Sequence, residues 1–164
     1  MKMEILIYPS NLLLMKSKEV DDIANVSDNS EIQTLIDHMV RTVYENDGVG
    51  LAANQIGQSK RIIIYDKDKV LINPYDIKMS GDFRSIEECL SIMDMYIKKP
   101  IPVIVDRFEK IIVRGFDRDG KDVRLSETYS TAACLQHEID HLNGILTIHR
   151  CSQLFYDRFV RFVV

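Results

Sequence analysis

Residues 137–141 read HEIDH, two histidines four apart with a glutamate directly after the first. On a helix four residues only just exceed one turn, so His137 and His141 point the same way. Two imidazoles on one face suit a single metal ion, and Glu138 beside them suits a base. A catalytic site of the zinc type wants three protein ligands and an open position for water, so the motif lacks one ligand. Four residues compete for that place: Cys89, Cys134, His149 and Cys151. Cys134 precedes His137 on about the same face, where a small buried hydrophobe is the plainer reading. His149 lies beyond Gly144 and reaches back only through a sharp turn. Cys89, in IEECLSI, follows two acidic residues where a packing cysteine would have apolar neighbours. It is the best of the four, and the residues alone go no further.

The histidines need a helix, and the pattern from Ser130 to Leu142 provides one, with Gly144 as its terminator. Another helix is expected over SEIQTLIDHMVRTVYEN, with Ser30 as N-cap and an apolar stripe of Ile32, Leu35, Ile36, Met39, Val40 and Val43. His38, near that stripe, reads as packed or partly exposed rather than as a ligand. Asp47-Gly48 ends this helix and opens GVGLAANQIG, whose start is too glycine-rich for a regular element. RIIIYD (61–66), VLINP (70–74) and IPVIVD (101–106) are expected strands. KIIVRGF (110–116), the turn Asp117-Arg118-Asp119-Gly120 and KDVRL (121–125) predict a hairpin. IEECLSI is neither strongly helical nor strand-like. Strands followed by the helix that carries the histidines make the class α+β.

The length of 164 residues predicts one domain over 1–164 with a proper core. A net charge of -4 and a pI near 5.6 exclude a general nucleic-acid binder, so no direct DNA binding is expected. Three cysteines are an odd number and too few for a disulfide scaffold, which points to a reducing compartment. Glu4 and Tyr8-Pro9 interrupt any signal-peptide core in MKMEILIYPSNLLL. No stretch approaches the roughly 20 apolar residues of a membrane span. A soluble, cytoplasmic protein with no membrane contact is expected.

Three stretches together resemble one family, the peptide deformylases, whose motifs run G-x-G-x-A-A-x-Q, E-G-C-L-S and Q-H-E-x-D-H. The chain has GVGLAANQ from Gly48 to Gln55, EECLS from Glu87 to Ser91 and QHEIDH from Gln136 to His141, in that order. ILIYP, RIIIYD, LINP and DRDGK extend the similarity over roughly residues 3–150. The resemblance implies a deformylase-like fold, with mixed or antiparallel sheets packed around a central helix that bears the HExxH motif. It implies that Cys89, His137 and His141 hold one divalent metal ion, physiologically Fe²⁺, with Zn²⁺, Ni²⁺ or Co²⁺ as substitutes. It implies hydrolysis of the formyl group from N-formylmethionine at the start of newly made polypeptides, releasing formate. Glu138 then serves as acid and base, while the Gln55 amide and the Leu90 N–H steady the oxyanion. Val49, Gly50, Glu87 and Cys134 are expected to meet the substrate, and Glu87 is also placed to accept a hydrogen bond from a ligand histidine. Asp140 points away from the metal, and a pair with Arg107 would anchor the helix.

The match departs at three places. Glu88 stands where the motif has glycine; if that position needs a positive φ, a glutamate is strained there. Its charge also disfavours anionic peptides. The loop after Ile92 is expected to hold about six residues more than usual in the family. In the ending SQLFYDRFVRFVV, Arg158 and Arg161, with Arg150 before it, give only a little positive charge and apolar residues dominate, so a core-covering strand or short helix is expected rather than a ribosome-docking tail. That compactness suits a minimal deformylase, whether bacterial or virus-encoded. Two other readings compete. HEIDH alone allows a general metallopeptidase, and Glu88 with its altered loop allows a silent metal-binding protein.

Overall fold

The computed structural model describes residues 3–163. Its first helix (α1, Ser30–Glu45) is capped one residue earlier than expected, because the Asn29 side chain accepts the Ile32 N–H. Such a cap is worth about 1 kcal/mol. Ile32, Leu35, Ile36, Met39 and Val43 are buried and Val40 packs against them, so the apolar stripe does face a core. His38 is half-buried on its flank. Beyond the helix Asp47, rather than Gly48, takes the left-handed conformation at φ 51.

A two-residue strand (β1, Leu51–Ala52), a 3-10 turn over Ala53–Ile56 and a strand (β2, Ile62–Tyr65) follow. Along β2 the side chains alternate between two faces, and both faces are covered. Ile62 and Ile64 join the cluster built on α1, whereas Ile63 and Tyr65 join one built on the helix that carries the histidines. Burial from both sides explains the unbroken apolar run.

The longer strands are β3 (Lys69–Ser80), β4 (Phe83–Asp94), β5 (Lys99–Arg107), β6 (Lys110–Phe116) and β7 (Asp122–Thr128). β1, β2, β3, β6 and β7 form one antiparallel sheet in that spatial order, and β4 with β5 forms a separate antiparallel pair. The expected strand at VLINP is really the start of β3, which runs on through Pro74. It can do so because the register against β6 shifts between Ile72 and Tyr75, beside the left-handed Asn73, and bulges are where strands admit proline. IEECLSI, which had no assignment, lies within β4.

The second helix (α2, Tyr129–Leu142) sits on the large sheet, burying Ala132, Leu135, Ile139 and Leu142 against Ile63, Leu71, Ile111 and Val113. It ends in a pair of bonds, Gly144 N–H to His141 and Ile145 N–H to Asp140, with Gly144 at φ 74. A Cβ on Gly144 would press into the Leu14 carbonyl, so glycine is required twice over. The last helix (α3, Gln153–Val163) covers a third cluster through Phe159, against Leu13, Cys89, Ile92 and Ile148. No helix among the described residues is long and apolar enough to cross a membrane.

Candidate active site

β4, the 3-10 turn after β1 and α2 meet at one cleft of about 520 Å³. There the Cys89 sulfur and one nitrogen each of His137 and His141 lie within 4.8 Å of one another. Cys89 Sγ is 3.2 Å from His141 Nε2. Of the four competitors for the missing ligand, Cys89 is the one that joins the histidines. The Cys151 thiol donates to the Ile148 carbonyl, and His149 Nδ1 accepts the Leu146 N–H. Cys134 lines the cleft without joining the cluster.

His137 is oriented from behind. Its Nδ1 lies 2.8 Å from Glu87 Oε2, which leaves Nε2 for a metal. Arg107 grips the same carboxylate through Nε at 2.8 Å and Nη2 at 2.9 Å. Its Nη1 donates to Asp140 at 2.5 Å, so Arg107 and Asp140 do pair and tie α2 to β5. Arg150 closes the chain of charges with Nη2 2.6 Å from Asp140 Oδ1. Glu87 borders the cleft, and both its oxygens are engaged by Arg107 and His137. This network also accounts for IEECLSI. Ile86 is 73% exposed while Glu87 and Cys89 are buried, an inverted alternation tolerable only because the buried charge is paired.

The electrostatics favour a cation in this pocket. Burial alone would raise Glu87, but hydrogen bonds from Arg107 and His137 outweigh it and bring it from 4.5 to about 2. Burial holds His141 well below the usual imidazole range, in the neutral form that ligates. Burial also works against a charge on His137, yet its hydrogen bonds to Cys89 and Glu87 carry it well above that range. Glu138 is raised to about 7 by burial, against the pull of His137. Burial, with Glu138 adding to it, pushes Cys134 up to about 12, and its sulfur lies outside the cluster of three donors. The donor set fits a divalent ion of borderline softness. Glu138 Oε2 is buried with no partner among the described residues, beside the place such an ion and its water would take.

Because Glu87 titrates lower in the folded chain, its stabilising share is fully present above 4.5 and fades as pH falls toward 2. Its size is on the order of 3 kcal/mol. Thermal unfolding of metal-free protein should show Tm dropping across that interval, and the drop should be shallower in Glu87→Gln.

Gly50 has a reason of its own. A Cβ there would stand 2.5 Å from Glu138 Oε1 and 3.0 Å from Cys134 Sγ. The Glu138 carboxylate can swing aside, but only by leaving its place. Gly50→Ala is therefore expected to fold and bind metal normally while losing about 10–100-fold in kcat, since small misplacements of a reacting group are costly. Steady-state kinetics beside metal analysis checks this. Gly48 has only ordinary contacts around it.

Gln55 is set by the Ala52 N–H, which donates to its Oε1 at 2.9 Å and turns the amide nitrogen toward Ser91 Oγ at 3.1 Å and Cys89 Sγ at 3.7 Å. Leu90 falls between Glu88 and Met93, where β4 loses register with β5. Val49 and Cys134 also line the cleft. Glu88 is paired in register with Pro102 and is not among the residues with positive φ, so the glutamate carries no backbone strain.

Sequence reasoning passed over several residues that hold this site. Asn54 donates to the His141 carbonyl at 2.5 Å, and Arg61 donates to the Leu142 carbonyl at 3.3 Å, which satisfies the open end of α2. Gln136 bridges the N–H and C=O of Phe108, at 3.0 and 2.8 Å, like one rung of a sheet. Asn54 and Gln136 lie inside the quoted motifs, which was the available signal. Arg61 and Arg150 gave none, because their partners depend on the fold.

Comparison with known proteins gives a consistent answer. Residues 2–155 match the family model for polypeptide deformylase. The chain is 39% identical over 160 residues to a peptide deformylase of Thermodesulfovibrio yellowstonii, covering 93% of this chain and 90% of that protein. It is 41% identical over 159 residues to the one from Hydrogenovibrio crunogenus, covering 93% and 88%. Its structure resembles that of a peptide deformylase from Legionella pneumophila, with a TM-score of 0.87, 34% identity, and 99% and 94% of the two chains covered. The enzyme of Synechococcus elongatus in complex with actinonin aligns with a TM-score of 0.85 at 32% identity, covering 98% and 85%.

Proposed function

The chain belongs to the polypeptide deformylase family, and we propose that Cys89, His137 and His141 hold its divalent metal ion while Glu138 moves the protons of the reaction. As a deformylase it removes the N-formyl group from an N-terminal methionine. The observation that carries the assignment of roles is the convergence of those three donors within 4.8 Å, beside a buried and unpartnered Glu138 oxygen.

A divalent ion held by these three residues would supply Lewis acidity and lower the pKa of a water enough for it to attack as hydroxide at neutral pH. The protein's own groups do the rest. Glu138 accepts a proton from the attacking water and delivers it to the methionine nitrogen as the C–N bond breaks, leaving formate and a free amine. The Gln55 amide and the Leu90 N–H, held by the turn and by the register break in β4, donate to the oxygen that gains charge. Val49, Gly50 and Cys134 border the space for the methionine side chain and the extended peptide behind it. Arg107, with Asp140 and Arg150 behind it, fixes Glu87 and through it the His137 ring.

The physiological ion in this reading is Fe²⁺, for which Zn²⁺, Ni²⁺ and Co²⁺ can substitute at a Cys-His-His site. The substrates are nascent chains, so the enzyme works in the cytoplasm, where they are made. Anaerobic incubation with formyl-Met-Ala-Ser tests the reading. Formate and a free methionine amine are expected; cleavage of the Met-Ala bond would point to a general peptidase, and binding without turnover to a silent metal protein.

A further inference from the structure

We propose that Glu88 makes this enzyme prefer formylated chains that carry a cationic residue close behind the methionine. The inference rests on the deformylase reading above. It starts from the alternation of β4, in which Glu87, Cys89 and Ser91 turn inward while Ile86 and Glu88 turn out toward solvent. Glu88 nevertheless lines the cleft that holds Cys89, His137 and Glu138.

Among the residues lining that cleft, Glu88 is the one exposed carboxylate. Glu87 and Glu138 are buried at its floor, and Glu87 is neutralised by Arg107. The one exposed cation of the lining, Arg84, is engaged 2.9 Å away by Asp106 across the hairpin. Glu88 has no ion-pair partner among the described residues, and the residue opposite it in β5 is Pro102, which brings no charge. The mouth of the cleft therefore carries an unbalanced negative charge one residue from a metal ligand. A peptide whose formyl carbon reaches the floor must pass its next residues along this rim. Regular extended backbone at Glu88 means that the strand does not demand glycine here, and the charge is free to serve recognition.

The test is kcat/KM for two series, formyl-Met-Xaa-Ser and formyl-Met-Ala-Xaa, with lysine, glutamine or glutamate as Xaa, using the metal-loaded enzyme. At low ionic strength lysine should exceed glutamate by about fivefold in at least one series, with glutamine between, as befits an exposed pair. The spread should shrink below about twofold in Glu88→Gln and in about 0.5 M NaCl, and Glu88→Lys should reverse the order. Equal rates for all three peptides in both series would overturn the proposal, as would a lysine preference that survives in Glu88→Gln. Those results leave the deformylase reading intact, because formate is still released. Absence of formate from every peptide would instead overturn the deformylase reading.

Discussion

Glu138→Ala is expected to release formate from formyl-Met-Ala-Ser at least about 10³-fold more slowly than the unaltered chain, with its metal still bound. Positioned proton transfer contributes roughly 10²–10⁴-fold, and in the proposed mechanism one group both takes the proton and returns it. The substitution should not unfold the protein. Glu138 is buried, its Oε2 has no partner among the described residues, and burial has raised its pKa to about 7, so its removal relieves an unfavourable environment. The Tm should therefore be unchanged or higher. Metal analysis, thermal unfolding and single-turnover formate release on the same sample separate the outcomes. Loss of the metal together with activity would make Glu138 a ligand instead of a base. Near-normal turnover would leave the reaction without its proton carrier.

The second large effect distinguishes two cysteines. Cys89→Ala is expected to lose the metal, by more than the 10–100-fold in affinity that typically follows loss of a group supporting a ligand. Cys134→Ala should keep it. Cys89 approaches His141 Nε2 to 3.2 Å and lies with both histidines in one cluster of donors, which Cys134 does not join. Cys134 also stands against Gly50 on the cleft wall, so its replacement should alter KM for the peptide more than metal content. Dialysis against a chelating buffer followed by elemental analysis gives the comparison. Metal retained in Cys89→Ala and lost in Cys134→Ala would invert the ligand assignment.

Local signals carried much of the fold into view. The apolar stripe of α1, the hairpin of β6 and β7 and the helix bearing HEIDH could each be read from spacing and turn residues, because each depends on neighbours close in the chain. Where long-range contacts decide, the reading stopped short. Pro74 hid the second half of β3, since only the bulge against β6 makes room for it. β4 escaped because its exposed isoleucine and buried glutamate invert the usual pattern, and that inversion is stabilised by Arg107 from the neighbouring strand and His137 from α2. The candidate metal cluster was half legible. His137 and His141 follow from helical spacing alone, whereas Cys89 stood only as the best of four until its resemblance to a family motif and then the fold brought it to them. Arg61 and Arg150 could not be found this way, because each meets its partner on α2 only through the fold.

The most direct test of a Cys-His-His deformylase centre is anaerobic titration of the metal-free protein with Fe²⁺, following formate release from formyl-Met-Ala-Ser. Activity should be absent without metal, rise in proportion to added Fe²⁺ and level off at one equivalent per chain. Formate release that is undiminished in metal-free protein, or that stays absent after full loading, would contradict the centre.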